Sequence, residues 1–171
     1  MDKAASSELE TFCRLIRARS EEHKKSLVLV YHGGAYGQVM AILRQELDSM
    51  IRVMYLLSLK DKDRRNEIIR KCNIGTKWPV PDCEMEKLAR HYHGWTEYVY
   101  KFGCSFIHLS NFHDYQERDP FISLPAEDKK SINQYMQNYH GASISVYSDF
   151  SPYSPDVFNK ITGNLECYIS A

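Results

Sequence analysis

The chain has 171 residues, of which 43% are hydrophobic, and its 22 basic and 22 acidic side chains give a formal net charge of zero. A chain of this length can bury one core without disulfide or metal support, and we expect residues 1–171 to form a single domain. Proteins that bind nucleic acid through general electrostatics usually carry a basic excess. The balanced charge therefore argues against such a protein, and we expect no DNA partner.

The five cysteines are widely separated and include no C-x-x-C pair, which disfavours a zinc ribbon and a disulfide framework. His91 and His93, like His108 and His113, are spaced differently from the i, i+4 histidines of zinc-binding helices, and we expect no metal and no cofactor. The first residues lack a secretion signal, and the apolar run Val53–Leu59 is far shorter than the roughly 20 residues that span a bilayer. We therefore expect a cytoplasmic protein without a membrane partner.

The first third of the chain has helical spacing. Ser6 and the acidic residues after it favour a helix start, and the pattern continues to about Lys25. The run Leu27–Tyr31 resembles a strand, but no second strand follows, so we expect the helix to continue. Gly33 and Gly34 then predict a bend. The clearest helix follows at 36–59 and is apolar almost all the way round, which predicts a central, largely buried element.

The middle of the chain begins with a charged connector and a short predicted helix, Arg64–Cys72. Glycine and prolines predict a loop over Asn73–Pro81. Asp82 is expected to cap a long helix that continues through His108 to about Tyr115.

Two glycines, Gly94 and Gly103, lie within this predicted long helix, where glycines often let a neighbouring helix approach closely. Further helices are predicted at 125–139 and 154–169. No convincing pair of strands occurs. The fold class predicted is all-α, a single bundle of five to six antiparallel helices.

Polar side chains collect on an apolar segment late in the predicted long helix. At about 100° per residue, Lys101, Ser105 and His108 share one helical face, with Asn111 at its edge and His113 nearby. Such groups on an apolar surface either find hydrogen-bond partners or perform chemistry, and the sequence leaves both open.

Other patterns have structural explanations as well as functional ones. Arg44 and Asp48 stand at i and i+4 and predict an ion pair if both are buried. The basic and aromatic residues between Lys77 and Lys101 either stack on RNA bases or form helix–helix contacts, and we favour the contacts. A ligand pocket between the central helices is a further alternative; its expected lining residues are Met40, Met50, Met54 and Trp95.

The segment Lys101-x6-His108-Leu-Ser-Asn resembles the late-helix motif of the HEPN superfamily of all-α proteins. The resemblance extends to Ala41–Glu46 (AILRQE), which is similar to the arginine and glutamate pattern in the second helix of some bacterial HEPN-like families. The likeness is spread over residues 5–140. It implies a helical bundle that often forms homodimers and often belongs to a toxin–antitoxin or defence system, with RNA or a partner protein as the binding partner.

The resemblance also implies candidate site residues for a metal-independent ribonuclease. His108 would transfer the proton at a ribose 2′-hydroxyl, and Lys101 and Arg44 would stabilise the phosphate charge. Asn111 or Ser110 would orient the substrate; Ser105 and His113 complete the candidate binding set. The family signature is arginine followed four to six residues later by histidine, whereas here Lys101 precedes His108 by seven. Lysine lacks the bidentate fork of arginine.

A formal match to the signature occurs elsewhere, at Arg17-x5-His23, in a chain whose composition makes about one such match expected by chance. We therefore expect a HEPN-like interaction or regulatory module that is non-catalytic or weakly active. The alternatives are an endoribonuclease that uses His108 and a helical bundle that binds a small molecule.

Overall fold

The computed structural model describes residues 3–108, 125–140 and 154–171. These residues form seven helices and no strand, which confirms the all-α class. The helices are α1 (Lys3–His32), α2 (Tyr36–Ser58), α3 (Lys62–Asn73), α4 (Asp82–Tyr92), α5 (Thr96–Ile107), α6 (Ala126–His140) and α7 (Ser154–Ser170). None of the helices in these ranges is both long and apolar enough to cross a membrane.

The first two helices form a hairpin around the predicted glycine bend. The segment Leu27–Tyr31 continues α1 as a helix, as the missing partner strand predicts. Gly34 has a φ of 70°, a left-handed conformation that glycine adopts without the steric cost of a side chain. The short connection therefore returns the chain directly into α2.

Helix α2 is the central element, as its all-round apolar character predicts. It packs against α1, α4, α5 and α7, and Leu47, Met50 and Ile51 are completely buried. Met40, Met54 and Trp95 are also buried in this core. The side chains expected to line a ligand pocket thus fill the space between the helices.

The prediction of one long helix from Asp82 is wrong, because residues 82–107 form two helices. Helix α4 ends at Tyr92, and α5 begins at Thr96. Between them Nε2 of His93 lies 2.6 Å from the hydroxyl of Tyr168 on α7, and Trp95 is buried. Glycine at position 94 has a low helix propensity, which weakens the helix at this point. The contact between His93 and Tyr168 on α7 also stabilises the break.

The end of the predicted long helix is also earlier than expected. Helix α5 ends at Ile107, and His108 has extended backbone angles, with φ −107° and ψ 144°. The residues between 109 and 115 lie outside the described ranges. The break at His93 alone raises the number of described helices to seven, where the sequence predicts five to six.

Gly103 provides the close helix approach that its position predicts. A Cβ atom placed at Gly103 would clash with Cβ of Arg44 on α2 and would lie 3.0 Å from its Cγ. The backbone of α5 therefore lies directly against the stem of the Arg44 side chain. Any larger residue at position 103 must push α5 away from α2.

We predict that Gly103→Ala lowers the free energy of unfolding by about 1–2 kcal/mol, because the overpacking cost exceeds the gain in helix propensity. Urea unfolding at pH 7 measures the change. Gly163→Ala in α7 is the matched control, since nothing lies within 4 Å of a Cβ at that glycine. That control is expected to stabilise the protein by about 0.5–1 kcal/mol. Equal effects of the two substitutions would contradict the close approach.

Candidate functional site

Arg44 lies where α2 meets α4 and α5, and its side chain is buried. Its Nη2 donates to Oδ2 of Asp82 over 3.3 Å, and its Nε donates to Sγ of Cys104 over 3.4 Å. The guanidinium carbon lies 4.2 Å from the ring centroid of Tyr100. The two nearest helices thus surround the charge of Arg44 on several sides.

A second arginine joins this cluster through the same carboxylates. Arg52 donates from Nε to Asp48 and from Nη2 to Asp82, in both cases over 2.8 Å. Nη1 of Arg44 lies 3.8 Å from Oδ1 of Asp48, which confirms the predicted i, i+4 ion pair. Arg19 on α1 reaches Asp48 over 3.5 Å. Three guanidinium groups and two carboxylates therefore form one network with a net charge of +1.

The prediction that Asp82 caps the start of the helix is wrong. Pro81 occupies the N-cap position of α4, and Asp82 is the first helical residue. Its carboxylate accepts from Arg44 and Arg52 instead of from the backbone at the helix start. Two arginines on α2 offer a carboxylate stronger, charge-assisted hydrogen bonds than a backbone N–H does.

The electrostatics of the network keep Arg44 charged. Burial by itself lowers the pKa of the guanidinium, but the hydrogen bond to Cys104 and the attraction of nearby groups, including Asp48, outweigh burial and raise the pKa overall. The charge is thus held by protein groups on α2, α4 and α5. A phosphate could reach Arg44 only by displacing these protein groups. The arrangement is therefore suited to stabilising the fold and not to binding a phosphate.

Lys101 is engaged in a different interaction at the surface of α5. Its Nζ lies 3.0 Å from Oε1 of Glu97, and this hydrogen bond raises the pKa of the lysine. Oε1 of Glu97 also lies 3.1 Å from Nη1 of Arg90, and Arg90 pairs with the buried Glu86. Lys101 is therefore the exposed end of a chain of alternating charges along α4 and α5.

His108 follows the last residue of α5 and is exposed. Its backbone N–H donates to the carbonyl of Cys104 over 3.3 Å, which closes the last turn. His108 is thus the C-cap residue of α5, and its extended backbone ends the helix there. Ser110, Asn111 and His113 lie outside the described residues, as does the side chain of Ser105.

The formal signature match at Arg17 and His23 has structural roles. Arg17 forms a bidentate ion pair with Glu166 on α7, with an Nη2–Oε1 distance of 2.6 Å. His23 is buried, and its Nδ1 lies 2.6 Å from Oε2 of Glu46 on α2. Ser20 donates to the other oxygen of Glu46 over 2.5 Å. The two signature residues therefore contact two different helices, α7 through an exposed ion pair and α2 through a buried one.

The basic and aromatic stretch before Lys101 also makes contacts within the protein. Trp78 is half-buried, and the guanidinium of Arg52 lies 4.8 Å from its ring centroid. Arg90 is bound by Glu86 and Glu97. These contacts favour a packing role for Trp78 and Arg90, whereas Tyr92 in the same stretch is 66% exposed.

Sequence reasoning missed the pair of Glu46 and His23. A signal for it was available, because Glu46 lies within the largely apolar helix α2, and a buried carboxylate needs a partner. Among the residues that the structure describes, no three His, Cys, Asp or Glu side chains are placed to hold a metal ion.

No family model, curated protein or solved structure matches this chain. The resemblance to the HEPN superfamily therefore stays a prediction from the residues that carry it.

We predict that His23→Leu lowers the free energy of unfolding by about 3 kcal/mol, because it removes a partner from a carboxylate that is completely buried. The double variant His23→Leu/Glu46→Met removes both polar groups and should recover most of that loss. Urea unfolding of the two variants and of the unmodified protein measures the coupling. Arg17→Gln, which breaks an exposed pair, is the control and should change stability little. A double variant less stable than His23→Leu would contradict this account.

Proposed function

We propose that this chain is a HEPN-like, non-catalytic helical module that pairs with a second copy of itself through the outer face of α1. In keeping with the resemblance, we propose a regulatory role in a bacterial toxin–antitoxin or defence system, with a partner protein bound by the dimer. The observation that carries the proposal is the pattern of exposed residues along α1.

The outer face of α1 has the spacing of a coiled-coil seam. Leu15, Ala18, Glu22, Lys25 and Leu29 follow one another at intervals of three and four residues, and all five are exposed. Leu29 is 74% exposed, although its neighbour Leu27 points into the core. Three of the five are aliphatic, and exposed aliphatic residues at this spacing are typical of helices that pair with another helix.

The charges on this face favour a second, antiparallel copy of α1. In that orientation Glu22 of each protomer lies opposite Lys25 of the other, and Ala18 lies opposite Leu29. Two identical ion pairs then flank the symmetry axis. A parallel pair would instead place like charges opposite each other. Within the described part of the chain, Glu22 and Lys25 form no ion pair.

The positions of the candidate catalytic residues support the non-catalytic part of the proposal. Arg44 is bound by the carboxylates of Asp48 and Asp82 and by the thiol of Cys104, and Lys101 pairs with Glu97. A phosphate would have to compete with carboxylates for both cations.

Charge reversal tests the proposed dimer. We predict that Glu22→Lys and Lys25→Glu each weaken self-association by about tenfold, since each places like charges opposite each other. An equimolar mixture of the two variants should associate again, because each then meets its complement. Sedimentation velocity over a concentration series measures the dissociation constants.

Leu29→Glu should also weaken the dimer, and Ile74→Glu, at another strongly exposed aliphatic residue, is its matched control. The proposal fails if the unmodified protein is a monomer at every accessible concentration, or if Leu29→Glu and Ile74→Glu act alike.

A cleavage assay separates this proposal from the endoribonuclease alternative. Single-stranded RNA incubated with the purified protein, without metal, is expected to stay intact. Cleavage that His108→Ala abolishes would establish the alternative and end the non-catalytic assignment. Cleavage that persists in His108→Ala would point to a contaminating nuclease.

A further inference from the structure

An apolar groove opens where the start of α1, the end of α2, α3 and the last turn of α7 meet. Its volume is about 290 Å³. The floor consists of Phe12, Val53, Leu56 and Ile69, each at most 5% exposed. Helices α1, α2 and α3 therefore supply an aliphatic and aromatic floor, and α7 adds Tyr168 and Ile169 to the lining.

The mouth of the groove combines exposed aliphatic side chains with two cations. Leu9 and Leu57 line it and are 43% and 44% exposed. Lys62 and Arg65 lie one turn apart on α3, on the same side of the groove, with Asn66 next to them. In the ranges that the structure describes, neither Lys62 nor Arg65 forms an ion pair.

We propose that this groove binds an aliphatic carboxylate of medium chain length. The hydrocarbon chain lies on the floor residues, and the carboxylate meets Lys62 and Arg65 at the mouth. The inference goes beyond the proposed self-association, which uses the opposite face of α1.

The volume sets the length of the ligand. A cavity of about 290 Å³ holds roughly ten groups of the size of a water molecule, which corresponds to a chain of about eight to ten carbon atoms. This is close to the lower limit of about 300 Å³ for pockets that take small organic ligands. Longer chains would have to leave the groove and expose methylene groups to water.

The walls of the groove are fixed before any ligand binds. Nδ2 of Asn73, in the last turn of α3, donates to the backbone carbonyl of Glu8 over 2.9 Å and to its carboxylate over 2.5 Å. At the other end of α3, Asp61 caps the helix by accepting from the backbone of Asp63 and Arg64. A preformed groove loses less conformational entropy on binding than a flexible one.

The charge at the mouth selects among ligands with the same chain. A carboxylate forms charge-assisted hydrogen bonds with arginine and lysine, whereas an alcohol forms only neutral ones. A quaternary ammonium group would be repelled by both cations. The proposal therefore predicts an order of affinity that apolar burial alone does not give.

Titration calorimetry with decanoate, 1-decanol and decyltrimethylammonium tests this predicted order of affinity. Decanoate is expected to bind about tenfold or more tightly than 1-decanol, and decyltrimethylammonium to bind weakest. Decanoate is also expected to bind more tightly than hexanoate, because more methylene groups are buried. Equal affinities for decanoate and 1-decanol would overturn the proposal.

Variants at the mouth locate the site. Lys62→Ala/Arg65→Ala should lower the affinity for decanoate by about tenfold or more, and Leu57→Glu should do the same by placing a carboxylate at the mouth. Arg64→Ala is the matched control, since Arg64 is exposed on the same helix but does not line the groove. Circular dichroism and thermal unfolding check that each variant folds.

Two further outcomes would also overturn the proposal. One is an equal loss of affinity in Arg64→Ala and in the double variant. The other is a protein dimer that Leu57→Glu dissociates, because the groove would then hold a second copy of the chain. Decanoate binding that survives Leu29→Glu supports the site independently of self-association through α1.

Discussion

Two charged residues on the buried helix α2 constrain the arrangement of the helices around it. Arg44 and Glu46 are both almost completely removed from water, so each must meet partners from other helices. Asp82 on α4 supplies one partner, and His23 on α1 supplies the other. A shift of α1 or α4 along α2 would leave a charge without its partner. The polar contacts therefore set the register of a bundle that apolar packing alone would fix less strictly.

Local periodicity predicted those helices whose length and faces are determined by nearby residues. The outlines of α1, α2, α6 and α7 follow from apolar spacing, glycine bends and start signals. The break between α4 and α5 was missed, because an isolated glycine inside a helical pattern is tolerated and does not by itself end a helix. The contact of His93 with Tyr168, 75 positions away, stabilises the break, and spacing along the chain does not reveal such a contact.

The candidate site was less predictable, because it depends on which side chains the fold leaves uncovered. The sequence predicts that the helix carrying Lys101 and His108 continues to about Tyr115, whereas α5 ends at Ile107. Leu9 and Leu29 have similar apolar character in the sequence. Only the packing of α2, α3 and α7 distinguishes a residue at the edge of a groove from one on a free outer face. Packing between helices, and not the local sequence pattern, therefore determines where the groove and the outer face of α1 lie.

The extensive packing of α7 against α2 has a consequence for biosynthesis. About 95 residues separate the end of α2 from the start of α7, and translation adds about 5–20 residues per second. While the ribosome makes the intervening segment, the side of α2 that α7 later covers stays open to water. For several seconds the nascent protein therefore exposes the apolar surface of α2 that α7 later covers. Exposed apolar surface of this kind is what chaperones bind.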